Sequence, residues 1–473
     1  MKATALIVSA LVLSSIATTI AANRSFSATP LTPAALNFLR TDYPTGSFPE
    51  GILTADFNHD GKQDVAVADF GGNTVSVFLG NGDGTFQARV DYATGNGPYG
   101  IGTGDVNGDG KLDLLLTNYY DSTVSALLGN GDGTFQTHKD YGTGVDPKSV
   151  VVADFNGDGK QDLAVTNYFI GTVSILLGNG DGTFQPKVDY STESQPQSVA
   201  TADFNGDGNA DLAVANFLSN TVSVLLGKGD GTFQLQVIYS AAFEPLNIAA
   251  GDVNKDGKPD LVTANYGANS VSVFLNNGDG TFKAHVDYPV GTQTFAVAIG
   301  NFNGDASPDL VTANYGTNNA SVLLGNGDGT FQTHVDFATG KEPGSVAAAS
   351  LTGSGTTSQD FVTSNGLDAT ISALLNAAAT HVKLTSSPNP SVQGQTVTFT
   401  ATVTASLAGL STPTGSVVFQ IGSKKKTVAL VSGSASFATS QLASGKYKVR
   451  AAYSGDTNFN PNVSNVVAQT VNP

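Results

Sequence analysis

A single motif recurs along this chain at a fixed step. Asp56, Asp105, Asp154, Asp203, Asp252 and Asn301 each open a copy, each 49 residues after the last, and the next step lands on Ser350. A second motif, Gly-Asp-Gly-Thr-Phe, keeps the same register from Gly82–Phe86 to Gly327–Phe331 without a slip. A period of about 40 to 50 residues holding about four strand-sized segments is what a β-propeller blade requires, because each blade is one small antiparallel sheet packed on its neighbours. Strand one ends at the Asp-Phe-Asn of the first motif. Runs such as Asp162 to Val165, Thr221 to Leu226 and Val188 to Tyr190 supply strands two, three and four. The Asn-Gly-Asp-Gly after strand three is a hairpin signal, since Gly and Asn accept positive φ.

An extra fourth-strand segment, Thr41-Asp42-Tyr43, precedes the first repeat, and the last repeat stops after Leu375 without one. One supplies what the other lacks. The expectation is an all-β chain with a closed, seven-bladed propeller over residues 23–375, leaving no unpaired edge at the seam. An open stack of repeats is the alternative. Composition agrees: 55 Gly and only 13% charged residues suit short strands and tight turns better than long surface helices.

The first motif reads D-x-N-x-D-G-x-x-D. Its oxygen side chains stand at alternating positions, with a backbone carbonyl at the seventh and a glycine at the bend. Hard oxygen donors so spaced suit Ca2+, which takes six to eight oxygens in flexible geometry; Mg2+ is the second choice. The candidate ligands, with the seventh residue giving its carbonyl, are Asp56, Asn58, Asp60, Lys62 and Asp64; Asp105, Asn107, Asp109, Lys111 and Asp113; Asp154, Asn156, Asp158, Lys160 and Asp162. Two further sets are Asp203, Asn205, Asp207, Asn209 and Asp211, and Asp252, Asn254, Asp256, Lys258 and Asp260. A sixth, weaker set is Asn301, Asn303, Asp305, Ser307 and Asp309, with Ala306 in place of the glycine. The seventh carries Ser350, Thr352 and Ser354 and a delayed Asp360, and is expected to be empty. An EF-hand is excluded, because strands flank the loop and no Glu stands at its twelfth position. A plain turn would need one or two such residues, not four.

Met1 to Ala22 has the layout of a secretory signal peptide: Lys2, an apolar run from Ala3, then small residues ending Ala21-Ala22. No later segment is long and apolar enough for a membrane helix. Export permits disulfides, yet the chain has no Cys, which also excludes thiolate metal sites and cysteine nucleophiles. The net charge of −17 belongs to the first part, since Asp456 is the one acidic residue after about Thr380. Phosphate repulsion then excludes a nucleic-acid partner.

On the calcium loops, the apolar strands around them and the Gly-Asp-Gly-Thr-Phe turn, residues from about Leu36 to Leu375 resemble FG-GAP, or integrin α-chain-like, repeats of the VCBS type. The resemblance implies calcium loops on one face and ligand recognition on the opposite one. Residues 381–473 resemble bacterial immunoglobulin-like modules, on Leu384-Thr385-Ser386-Ser387-Pro388-Asn389-Pro390, Pro413-Thr414-Gly415-Ser416-Val417 and Ala452-Tyr453-Ser454-Gly455-Asp456. Residues 376–380 read as a short Ala-rich linker.

The loops between strands two and three begin with Phe70, Tyr119, Tyr168, Phe217, Tyr266 and Tyr315, five of them preceded by Asn. An aromatic beside an amide could stack on and hydrogen-bond a sugar or anchor a protein, although an element present in every blade more often serves packing. Tyr119, Tyr120, Tyr168 and Phe169 are the candidate ligand contacts, with Tyr120 and Phe169 breaking the pattern. His138, His285 and His334 share one register and mark a surface strand. No nucleophile motif or zinc spacing appears. The expected function is a secreted or cell-surface calcium-dependent module that binds a glycan or a protein. The rival is an extracellular polysaccharide-acting lyase or hydrolase with structural calcium.

Overall fold

The structure is a computed structural model that describes residues 36–305, 307–353 and 358–473; the expected signal peptide, Ala306 and Ser354 lie outside them. Among the described residues there is no helix. Seven four-stranded antiparallel sheets follow one another along the chain. The first is Pro49–Ala55, Asp64–Asp69, Thr74–Phe78 and Val90–Ala93. Burial falls from the middle of each sheet outward: Asp64–Asp69 is buried throughout, whereas Val90–Ala93 is mostly exposed. Strands covered on both faces must be apolar at successive positions, which is why the second and third strands read as continuous runs such as Val-Ala-Val-Ala.

Phe38–Pro44 pairs antiparallel with Thr370–Asn376 and becomes the outer strand of the last sheet. The innermost strands touch in sequence, and Pro343–Ala349 returns to Pro49–Ala55, so the ring is closed. Blades adhere through aromatic clusters. The Phe135 ring of one Gly-Asp-Gly-Thr-Phe turn meets Phe57 of the preceding blade's loop at 5.4 Å and Tyr92 at 5.5 Å, both edge to face. Phe233 repeats this with Phe155 and Tyr190, and Phe282 with Phe204 and Tyr239. Each such pair contributes about 0.5–1.5 kcal/mol beyond its buried area.

Residues 380–472 form a sandwich. One sheet holds Thr380–Ser387, Val397–Ala405 and Ser434–Thr439; the other is centred on Gly445–Tyr453 and Ser416–Ile421. Phe399, Phe419 and Tyr453 fill the space between them. The segment expected as a linker is instead a packed joint. Asn376 ends one strand and Thr380 begins the next, and Ala377, Ala378 and Ala379 between them are buried. The Ala378 carbonyl accepts from the Asn460 N–H at 2.7 Å, and the Asn460 amide donates to Ser358 Oγ at 3.2 Å. Small side chains are needed here because two domains close on one strand crossing, so the Ala-rich composition reports tight packing and not freedom.

Antiparallel pairing gives the ring two ends. Residues 56–63 and 80–86 of the first blade cap one; residues 45–48 and 70–73 cap the other.

Candidate functional site

In the capping loops of the first end, short hydrogen bonds within the loop turn the side-chain oxygens together. The Asp60 N–H donates to Asp56 Oδ1 and to Asn58 Oδ1, each at 3.1 Å, so one donor draws the two oxygens side by side. Gly61, at φ 81°, donates to Asp56 Oδ2, and Lys62 N–H donates to Asp60 Oδ1. The shared donor recurs at Asp109, Asp207 and Asp256. In the third loop Asp158 N–H takes Asn156 Oδ1 and Gly157 N–H takes Asp154 Oδ1. The Lys62 ammonium, held on Asp60 at 3.0 Å, keeps that carboxyl below its usual range.

The final Asp of each loop behaves differently. Asp64 is fully buried; its Oδ2 accepts from Phe57 N–H at 2.9 Å and its Oδ1 from Gly80 N–H at 2.8 Å. It is a latch tying the loop to the end of strand three. Asp113, Asp162, Asp211, Asp260 and Asp309 make the same pair of bonds. Asp360 makes a closely similar pair, to Asn376 N–H and to Thr352 N–H one residue beyond the position of Phe57, in the one loop whose other candidate ligand positions are lost. This residue therefore has an architectural duty independent of any metal. Burial pushes these carboxyls up, Asp113 and Asp211 to about 6, and in all but Asp360 a neighbouring loop carboxylate adds to the rise.

Among the described residues no three His, Cys, Asp or Glu side chains gather closely enough to hold a metal by themselves. The donor set of each intact loop is mixed: Asp56, Asn58 and Asp60 side chains, the Lys62 carbonyl, and the free lone pairs of Asp64, since a carboxylate accepting two hydrogen bonds keeps others. Such a set fits a hard cation that takes neutral and charged oxygens alike. The sixth loop is poorer in charge, because Asn301 brings a neutral amide oxygen where the intact loops bring a carboxylate; that oxygen accepts from Gly304 N–H, as Asp203 does from Gly206 N–H.

At the other end, the six aromatics that open the loops come together around the axis. Phe70, Tyr119, Tyr168, Phe217, Tyr266 and Tyr315, all half-buried, line a funnel of about 540 Å³. Around it stand exposed apolar side chains, Tyr120 at 66%, Phe169 at 74% and Leu218 at 60% exposure. The amides expected beside the aromatics are not available to a ligand. Asn118, Asn167, Asn216, Asn265 and Asn314 are fully buried; Asn118 Nδ2 donates to Thr123 and Ser125 inside its own blade, and the others repeat this pattern. His138, His285 and His334 pair with Asp140, Asp287 and Asp336, in the register that places Arg40 on Asp42 and Lys187 on Asp189.

Below the funnel lies a set of residues that belongs to neither repeat motif. A bulge at the start of each innermost strand frees the residue after its first position from regular pairing. Round the ring this register holds Glu50, Tyr99, Lys148, Gln197, Leu246, Phe295 and Gly344, which line an axial cavity of about 210 Å³. The signal was present in the sequence: one position per repeat, never the same residue twice.

The family model for FG-GAP-like repeats matches residues 56–116, 105–165, 154–214, 203–263 and 252–312, and that for the bacterial Ig-like domain, group 3, matches 384–472. The repeats span more than half of the chain, which therefore belongs to the FG-GAP-like repeat proteins. No curated protein matches the sequence. Among solved structures, BBS1N in its complex with ARL6DN is similar at 12% identity and TM-score 0.52, over 72% of this chain and 97% of that one. A Lactobacillus plantarum protein (15%, TM-score 0.46, 75% and 92%) and the Pseudomonas aeruginosa periplasmic gluconolactonase PpgL (17%, TM-score 0.47, 61% and 84%) share less. At these identities the likeness concerns the fold.

Proposed function

We propose that this chain is an exported, calcium-binding recognition module that takes a glycan or protein ligand on the funnel end of the propeller. The observation that carries the reading is the funnel itself. A concave, aromatic-lined mouth of about 540 Å³, with Tyr120, Phe169 and Leu218 exposed around it, is a surface that a chain would keep apolar only for contact. Calcium, at the five intact loops and less firmly at the sixth, neutralises crowded carboxylates at the opposite end and stiffens the ring that shapes the mouth. The sandwich extends from the capping-loop side and leaves the funnel open.

A glycan and protein array probed with the whole chain, with and without calcium, tests this. Specific retention that Tyr120→Ala together with Phe169→Ala abolishes, with an unchanged melting curve, is the expected result. Cleavage of a retained polysaccharide would replace binding with catalysis as the function.

A further inference from the structure

The axial register contains a side chain already bound in the manner of a ligand. Lys148 places its ammonium 3.6 Å from the centre of the Tyr99 ring, 4.4 Å from Tyr119 and 5.6 Å from Tyr168. Burial first, then Asp146, two residues before Lys148, push the Tyr119 hydroxyl up, which places this carboxylate beside the phenol. A cation over aromatic faces with a carboxylate in support is an attractive arrangement that strengthens as water is excluded.

Four repeats further round the ring the same corner recurs without its lysine. Phe295 stands in the register of Tyr99, Tyr315 in that of Tyr119, Glu342 in that of Asp146, and Gly344 in that of Lys148. Phe295 and Tyr315 stack at 5.6 Å with 26° between their planes. Gly366 takes the place of Tyr168, but the Phe48 ring lies 3.5 Å from where a Cβ on Gly366 would be and supplies a third wall. A Cβ on Gly344 would stand 2.9 Å from Glu50 Oε2, so this carboxylate leans over the space that a lysine stem would fill. Among the described residues the Glu50 carboxylate has no hydrogen-bond or ion-pair partner. The corner thus keeps the aromatic walls and the supporting acid, gains a second acid, and lacks the cation.

We infer that the Phe48, Phe295, Tyr315, Glu342 and Glu50 corner is a binding site for the primary ammonium of a lysine side chain, presented by a peptide or protein and entering along the axis from the funnel. The inference rests on the recognition reading and names its ligand class. A slim methylene stem suits an axial cavity of about 210 Å³ better than a pyranose ring does, and Lys148 shows within the same molecule that such a stem fits. The charged groups that face Glu50 are Lys148 and Glu342, and the titratable phenols that face it are Tyr99 and Tyr315, both pushed up, by burial first, and so neutral. Burial first, then Glu342, push Glu50 up to about 7 against the pull of Lys148. Binding therefore weakens as pH falls below about 7 and the carboxylate takes up its proton.

The test is calorimetric titration of the calcium-loaded full chain with Nα-acetyl-lysine N-methylamide, beside its norleucine analogue, which lacks the ammonium, and beside glucosamine. The lysine amide is expected to bind and the norleucine analogue to stay silent. Glu50→Gln should weaken binding about tenfold or more. Gly344→Lys should abolish it by supplying the missing cation from within; its melting curve serves as the check of folding, and the glycine has no positive φ to strain. No binding of the lysine amide to the wild type, equal binding of the norleucine analogue, unchanged binding in Gly344→Lys, or glucosamine binding in place of lysine would each overturn the assignment. Array retention that survives both variants would leave the recognition reading standing while this one fell.

Discussion

The two ends of the propeller are built from one repeat, yet they use repetition in opposite ways. At the capping-loop end the copies agree closely: Asp64 and five equivalents make the same two hydrogen bonds, and in the seventh blade, where the remaining candidate ligand positions are gone, Asp360 still ties the loop to the end of strand three with the loop donor shifted by one residue. On the axis, one register carries Glu50, Tyr99, Lys148, Gln197, Leu246, Phe295 and Gly344, with each blade differing from the rest. A loop does its work blade by blade, so selection on any copy favours the same solution. A site on the axis is shared by all blades at once, and an asymmetric ligand can be held there only if the symmetry is broken. Uniformity is what a duty performed blade by blade leaves behind, and a divergent register on the axis is what recognition of an asymmetric ligand would require.

The broadest way to break this comparison is to remove the metal. If the capping loops hold calcium, each intact loop at hundredfold saturation contributes about 2.7 kcal/mol to the folded state, and a chelator should lower Tm by about 10 °C or more. Differential scanning calorimetry with and without chelator measures it, and superimposed curves would remove calcium from the account. A smaller effect separates the two duties of the final Asp. Asp162→Asn and Asp360→Asn should each cost about 1–3 kcal/mol, because an amide nitrogen then faces a backbone donor. Only Asp162→Asn should also lower the calcium count by one. If Asp360→Asn were silent in denaturant melts, the latch would not be architectural.

The fold was legible in the sequence because its period is exact and its strands are short apolar runs bounded by Gly and Asp. Closure was legible too, from one spare strand before the repeats and one missing strand after them. Three features were not. The joint at Ala377–Ala379 looked like a linker because composition cannot distinguish small residues chosen for freedom from small residues chosen for close contact. The Asn118 series was open to two readings, ligand contact or packing, with packing the commoner; the sequence could not name the Thr123 and Ser125 partners that bury it. The axial register was overlooked because repeats are read for what they conserve among themselves. Its meaning came from geometry, since only the ring brings Glu50 beside Gly344.

The joint offers a sharper, smaller test of the same contrast. Where the sixth and seventh loops depart from the intact pattern, the sandwich lies against them: the Asn460 amide spans from Ser358 Oγ to the Phe302 carbonyl, and Leu407 packs beside the seventh-blade core. Asn460→Ala should cost about 1–2 kcal/mol, felt at this seam alone, and should split one melting transition into two. A single unchanged transition would mean that the contact carries no coupling.

The smallest expected effect lies on the axis and has the opposite sign. Burial raises the Glu50 carboxyl from its ordinary value of 4.5 to about 7, so the folded chain holds this proton more tightly than the unfolded one. Below pH 4.5 both states are protonated and nothing is lost. As pH rises toward 7 the unfolded state gives up its proton first, stability falls, and above about 7 the full cost of a desolvated carboxylate is present. Glu50→Gln removes that cost. The variant should melt above the wild type at pH 8, by about 1 kcal/mol once screening through the open channel is allowed for, and the gap should close by pH 4. A residue whose replacement stabilises the fold while weakening ligand binding is kept for binding, which is the pattern expected of a functional site held at the expense of stability. Equal melting at both pH values would show that the axis carries no such strain, and the contrast between the two ends would lose its energetic basis.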